Sequence, residues 1–113
     1  MHIDIQAQSF SLTEALHAYV ERRLSFIISA GDSAIQSIAV RLCDINGPRG
    51  GADKCCRIHI VLAQTLDIVI EDTELNLYAA IDRASGRAGR TLCRRLARQR
   101  DRSRTTGLSS LQA

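Results

Sequence analysis

Hydrophobic and polar residues follow two different rhythms along this chain. Four stretches alternate apolar and polar positions, which predicts strands with one buried face. Two longer stretches carry apolar residues three and four positions apart, which predicts amphipathic helices. In chain order the pattern predicts β-α-β-β-β-α. The predicted strands cover 2–8, 35–43, 54–63 and 66–72, and the predicted helices cover 12–31 and about 75–102.

This element order predicts an α+β domain with a four-stranded sheet. Strands one and two flank a helix, so we expect them to be parallel and joined by a right-handed crossover. Strands two, three and four should form an antiparallel meander. Each strand has one apolar face, which predicts both helices on that side of the sheet and a polar face opposite. In the last strand we expect Leu66, Ile68 and Ile70 to face the core.

Local signals mark the ends of the two helices. Ser11 and Glu14 have the spacing of a capping box, which predicts the start of the first helix, and Gly31 should end it. Glu74 has the acidic character of a first helical turn, so the second helix should begin near it. We expect one domain over 1–102 and a flexible polar tail over 103–113.

The second predicted helix carries arginines on one side. They recur at spacings of 4, 3, 4 and 4 residues, while an apolar set lies about 130° away around the helix axis. Arginine forks match phosphate oxygens in geometry and charge, so this stripe predicts binding to a nucleic-acid backbone. The alternative is an ordinary solvated helix face. The stripe, called here the arginine stripe, consists of Arg83, Arg87, Arg90, Arg94 and Arg98.

The charge of the chain is divided unevenly along its length. Residues 1–82 hold 6 Lys/Arg and 11 Asp/Glu, whereas residues 83–113 hold 9 Arg and 1 Asp. A basic block on an acidic body favours a polyanionic partner, nucleic acid first and an anionic membrane second. No apolar run approaches the roughly 20 residues of a membrane span, and the first residues lack the features of a signal peptide. We therefore expect a cytoplasmic protein.

Few residues offer catalytic or metal-binding chemistry. His2, His17 and His59 lie on separate predicted elements, and no Ser/His/Asp or Cys/His arrangement is readable. The four cysteines lack zinc-ligand spacing, so we expect free thiols, with Cys43 and Cys56 buried in the core. These features predict a protein that is not an enzyme and needs no metal or cofactor.

The glycine-rich segment 44–53 predicts a hairpin loop. It does not fit a phosphate-binding P-loop, because Lys54 is followed by Cys55 rather than by Ser or Thr. A plain loop is one interpretation, and a second RNA contact through Arg49 and Lys54 is the other. Tyr78 is expected to pack in the core, because four aromatic residues are too few for a base-stacking platform.

The run LYAAID at 77–82 and the run SLTEAL at 11–16 resemble the ribosome-associated inhibitor and hibernation-promoting factor family. The resemblance covers roughly 1–100. It places Arg87, Arg90 and Arg94 on basic positions of the family's last helix and Arg23 on a commonly basic position of its first helix. The chain departs from the family in the loop NGPRGGADK at 46–54, which is longer and more glycine-rich than the usual turn. It also departs at Phe26 where a basic residue is frequent, at Arg95 where glutamine is frequent, and at Gly86 and Gly89 within the helix.

This resemblance implies a protein that binds the small ribosomal subunit and its rRNA. Such a protein blocks the channel for mRNA and tRNA and inhibits translation, or promotes ribosome hibernation, when growth slows. We expect a monomer, with a dimer as the alternative, and no small-molecule substrate or membrane. The competing hypothesis is a protein-interaction module that pairs through a sheet edge, with the arginine helix only solvated.

Overall fold

A computed structural model describes the backbone of residues 2–8, 10–31, 33–44 and 54–112, and the side chains in those ranges as far as residue 100. The element order is β-α-β-β-β-α, which confirms the predicted order. The elements are β1 (His2–Gln8), α1 (Glu14–Gly31), β2 (Ile35–Asp44), β3 (Lys54–Leu62), β4 (Ile68–Glu74) and α2 (Leu77–Gln112).

The four strands form one mixed sheet in the order β1-β2-β3-β4. Strand β1 is parallel to β2, with Ile3 opposite Ile38. Strands β2, β3 and β4 are antiparallel, and Ile58 pairs with Val40 on one side and Ile70 on the other. The predicted topology is therefore confirmed.

One hydrophobic core joins both helices to a single face of the sheet. Leu24 from α1, Ile60 from β3 and Leu92 from α2 are each at most 1% exposed and belong to this cluster. Ile81 is also buried, whereas Leu96 is partly buried and packs against the edge of the core. Because both helices cover the same face, α1 and α2 lie side by side.

The start of α1 differs in detail from the prediction. Thr13, not Ser11, caps the helix: its side-chain oxygen accepts the Leu16 N–H at 3.2 Å, and its carbonyl accepts the His17 N–H at 3.0 Å. Thr13 directly precedes the first helical residue, Glu14, so its hydroxyl is the one within reach of the free N–H groups.

Gly31 ends α1, as predicted, but it also serves the packing of the core. A Cβ placed on Gly31 would lie 3.0 Å from Leu92 Cδ2 and 3.1 Å from Leu96 Cδ1. The absence of a side chain at this position therefore lets α2 approach the end of α1.

Helix α2 begins later and ends later than predicted. Asn76 caps it, accepting the Tyr78 N–H at 2.7 Å, so placing Glu74 in the first turn was wrong. Glu74 is the last residue of β4. The helix continues to Gln112, past the predicted end near Arg102, because no proline follows to break it. Flexibility of residues 103–113 stays a prediction.

The β3–β4 connection contains a second difference. Leu66 is 81% exposed and precedes the start of β4 at Ile68, so its predicted burial was wrong. Ile68 is buried and Ile70 is half-buried, in agreement with the predicted alternation. No helix in the described part of the chain is both long and apolar enough to cross a membrane.

The cysteines lie in three environments. Cys56 is buried in the core as predicted, but Cys43 is only half-buried. Cys55 is 3% exposed, because on the open sheet face it lies between Cys43 and Thr73 in register. Burial raises the pKa of both Cys55 and Cys56 to about 12, and Cys93 is exposed on α2.

A thiol-specific reagent should therefore modify Cys93 rapidly and leave Cys55 and Cys56 intact in the folded protein. The thiolate is the reactive form, and a pKa near 12 leaves it rare at pH 8. Mass spectrometry of peptides after timed labelling gives the rate at each site. Cys93→Ser should remove the fast phase, and denaturant should make all sites react. Rapid labelling of Cys56 without denaturant would contradict the described packing.

Candidate nucleic-acid interface

The arginine stripe lies on the solvent-exposed side of α2. All five of its members are exposed. The opposite side of the helix packs on the sheet, where Ala84, Ala88 and Leu92 have no exposed surface. The predicted orientation of the helix is thus confirmed, and the stripe is held on a rigid, anchored element.

Two arginines of the stripe are tied to the end of β4. Arg83 Nη1 donates to Glu74 Oε1 at 2.6 Å, and Arg87 Nη1 donates to Asp72 Oδ1 at 2.7 Å. The Asp72 side chain is only 11% exposed, and its other oxygen has no hydrogen-bond partner among the described residues. These pairs orient the two guanidinium groups, and their charge is partly neutralised before any ligand arrives.

The other three arginines have no carboxylate partner among the described residues. Within the same ranges, Arg94 donates only to Thr91 Oγ1 at 3.4 Å. Arg90 and Arg98 have no hydrogen bond or ion pair with any residue in the described ranges. Side chains without an internal partner are available to phosphate oxygens, so this part of the stripe is the better candidate for nucleic-acid contact.

The predicted site residue Arg23 lies on α1, facing α2. Its Nε lies 3.3 Å from both Asp82 Oδ1 and Ser85 Oγ. The same Asp82 oxygen accepts the Tyr19 hydroxyl at 2.5 Å, and this hydrogen bond is the main reason that the pKa of Tyr19 is raised. Tyr78 completes the cluster, with its ring centroid 4.8 Å from that of Tyr19. It is 41% exposed, so its predicted burial in the core was wrong.

A groove runs between α1 and α2 beside these residues. Phe26 and Ile27 of α1 line one wall, and Arg90 and Arg94 of α2 line the other. Phe26 was not among the predicted site residues. Its sequence signal was its position on α1, about 120° from the apolar face, where an aromatic ring has no core to enter. The groove also includes Arg23, Gly86, Gly89 and Cys93. The fold thus brings Arg23, Arg90 and Arg94 together.

Three further basic residues have different surroundings. Arg95 donates to the backbone carbonyls of Leu66 and Asp67, so it stabilises the β3–β4 connection. Lys54 Nζ donates to Asp44 Oδ2 at 2.7 Å, at the base of the β2–β3 hairpin. Arg49, the other predicted second contact, lies outside the described residues.

The titratable residues in the described ranges do not form a metal-binding group of three or more His, Cys, Asp or Glu. His17 lies 2.5 Å from Glu21 on the same helix, and His59 lies 2.8 Å from Asp67 on the open sheet face. Both pairs are on the surface. The chemistry that the fold does concentrate in one place is cationic and aromatic, along α2 and the groove.

Comparison with known proteins places this geometry in a family. Residues 3–100 match the family described as sigma 54 modulation protein / S30EA ribosomal protein, and the chain belongs to it. The members of this family are ribosome-associated modulation proteins, not known as enzymes. The family resemblance inferred from the sequence is therefore confirmed.

Two solved structures are similar over most of the chain. The N-terminal domain of Protein Y from Thermus thermophilus has a TM-score of 0.69 at 25% identity, covering 83% of this chain and 98% of that one. A ribosomal subunit interface protein from Coxiella burnetii has a TM-score of 0.73 at 22% identity, covering 86% and 99%. No curated protein sequence matches the chain. Fold and family together support a role on the ribosome.

Proposed function

We propose that this protein binds the small ribosomal subunit through α2, with Arg23 and the arginine stripe contacting rRNA phosphates. Bound there, the domain occupies the channel for mRNA and tRNA and inhibits translation, or promotes hibernation, in slow growth. The observation that carries the proposal is the one-sided row of exposed arginines on a helix of this ribosome-associated family. This role is cytoplasmic and needs no cofactor.

The physical properties of α2 support a phosphate contact over a merely soluble surface. A soluble helix face needs only mixed charges, whereas this one exposes a row of a single sign. The buried face fixes the helix on the sheet, so little backbone order has to be gained on binding. Guanidinium groups carried on this fixed backbone can then meet phosphates whose positions are set by folded rRNA.

If the domain occupies the channel, inhibition of translation should be stoichiometric and reversible. Cell-free translation titrated with protein at fixed ribosome concentration should reach its minimum near one protein per ribosome. Excess initiation components or added salt should restore activity, because both compete with binding. The extent of inhibition should not grow with incubation time, because nothing is cleaved or modified.

Two outcomes would point elsewhere. Inhibition at far less than one protein per ribosome, or rRNA cleavage that grows with time, would indicate an enzyme. Absence of co-sedimentation with ribosomes, together with a dimer in sedimentation equilibrium, would favour the module that pairs through a sheet edge. In that case the arginine stripe would serve solubility alone.

A further inference from the structure

The groove between α1 and α2 contains an exposed aromatic ring that the fold does not use. Phe26 is 69% exposed, whereas the next residue, Ile27, is 2% exposed and belongs to the core. Leu66 and Leu75 are comparably exposed, but both lie in connections at the ends of β4. Phe26 instead lies on a helix wall, beside the arginines of the facing helix.

The opposite wall of this groove has two glycines that packing does not require. A Cβ on Gly89 would lie 3.8 Å from Ile27 Cγ1, and one on Gly86 would lie 3.5 Å from Arg90 Nη1, both ordinary contacts. Neither glycine has a left-handed backbone. Each weakens the helix by up to about 1 kcal/mol relative to alanine. Their effect on shape is to leave the helix backbone bare, which widens the groove opposite the Phe26 ring.

The charge around the groove restricts what can enter it. Arg90 and Arg94 flank the ring, and neither is paired with a carboxylate in the described part of the chain. Cations beside an aromatic ring and an open apolar floor suit a ligand that is both planar and anionic. A nucleotide has both properties, since its base stacks and its phosphate accepts from arginine.

We propose that the groove binds one unpaired RNA nucleotide, with its base stacked on Phe26 and its phosphates contacted by Arg90 and Arg94. Bases inside an A-form helix are already stacked, so the nucleotide comes from a loop, a bulge or a single strand. The proposal rests on the proposed binding to the small subunit and adds base recognition to a contact otherwise made with the phosphate backbone.

The test measures binding of Phe26→Ala to purified small ribosomal subunits over a series of salt concentrations. Loss of one stacked base should weaken binding about 5- to 150-fold. The slope of log Kd against log salt should not change, because no phosphate contact is removed. Leu75→Ala is the matched control, because Leu75 is also 69% exposed but lies away from the groove. The affinity of the Leu75→Ala variant for small subunits should equal that of the wild type.

A tryptophan at the same position provides a direct readout of stacking. The chain has no tryptophan, so Phe26→Trp gives a single emitter in the groove. It should retain affinity, and its fluorescence should be quenched when subunits bind, relative to a Leu75→Trp variant titrated with the same subunits, which corrects for the emission and absorbance of the subunits themselves. Retained binding without quenching would overturn the proposal.

Three results separate this proposal from the proposed function. Wild-type affinity for Phe26→Ala overturns base stacking. Salt-dependent binding that still requires the arginine stripe would then leave the proposed function standing. A dimer in sedimentation equilibrium that Phe26→Ala dissolves would show that the groove binds a second copy, and this also overturns the nucleotide. Phe26 is mostly solvated, so its replacement should not unfold the domain.

Discussion

Replacing Arg87, Arg90 and Arg94 together by glutamine should flatten the salt dependence of ribosome binding by about two to three log units of Kd per log unit of salt. With the full stripe neutralising about five phosphates, log Kd should rise with log salt with a slope of roughly 3.5 to 4.5. Between 50 and 200 mM salt the wild type should then lose about 100- to 500-fold in affinity, and the variant about 2- to 30-fold. Because Asp72 already compensates Arg87, we expect Arg90 and Arg94 to account for most of the change.

The open face of the sheet offers a charge-matched control. Arg41 and Arg57 are exposed there and lie directly opposite each other on β2 and β3, an unfavourable pairing of like charges. Replacing this pair by glutamine should leave both the fold and the salt slope of ribosome binding unchanged. Replacing Arg90 and Arg94 by glutamine should flatten that slope. Equal effects of the two double variants would mean that net charge governs binding.

Circular dichroism of the triple variant should keep the wild-type shape, because all three side chains are exposed and lie outside the hydrophobic core. This measurement separates a lost contact from a lost fold. The stability of the triple variant should fall somewhat, because Arg87→Gln removes the charged partner of Asp72. Unchanged ribosome binding in the folded triple variant would remove the basis for an RNA contact through the stripe.

The topology could be predicted from the sequence because alternation and helical spacing are strong signals within each element. The errors fall where several residues compete for one local role. Ser11 and Thr13 are both possible caps, and only the path of the chain decides that the Thr13 oxygen meets the Leu16 N–H. Likewise Glu74 suits the first turn of a helix, but β3 pairs with it as a strand residue, and Asn76 becomes the cap.

Some features of the candidate site could likewise be predicted from the sequence, and others could not. The direction of the arginine stripe follows from helical geometry alone, so the sequence predicts it. Helical geometry does not predict which arginines of the stripe are paired with carboxylates, because the contacts of Arg83 and Arg87 with β4 span 9 and 15 residues of chain. The groove depends on two helices whose facing residues, such as Arg23 and Ser85, are 62 positions apart. A single-sequence pattern carries no information about such distant pairs.

The junction of α1, α2 and the sheet should be the most sensitive point of the fold. Leu92 has no exposed surface, and its truncation to alanine should cost about 2–5 kcal/mol through lost burial and a cavity. That is a large share of the roughly 5–15 kcal/mol that stabilises a typical domain. Denaturant titration measures it directly. Leu66→Ala makes the same chemical change at an 81% exposed position and should cost less than about 0.5 kcal/mol.

Ribosome binding by Leu92→Ala should fall only as the folded fraction falls. The salt slope of the fraction that remains folded should equal that of the wild type, since Leu92 lies on the face of α2 opposite the stripe. A Leu92→Ala protein that melts at the wild-type temperature would mean that α2 is rotated relative to the arrangement described.

Gly31 allows a stricter test of the same junction. Gly31→Ala alone should destabilise the domain, because its new methyl group would lie 3.0 Å from Leu92 Cδ2 and 3.1 Å from Leu96 Cδ1. Combined with Leu92→Ala, the methyl group enters space that the leucine has left. The double variant should therefore lose less stability than the sum of the two single variants. Strict additivity in this double-mutant cycle would contradict contact between the two positions, because uncoupled effects are expected only for residues that do not touch.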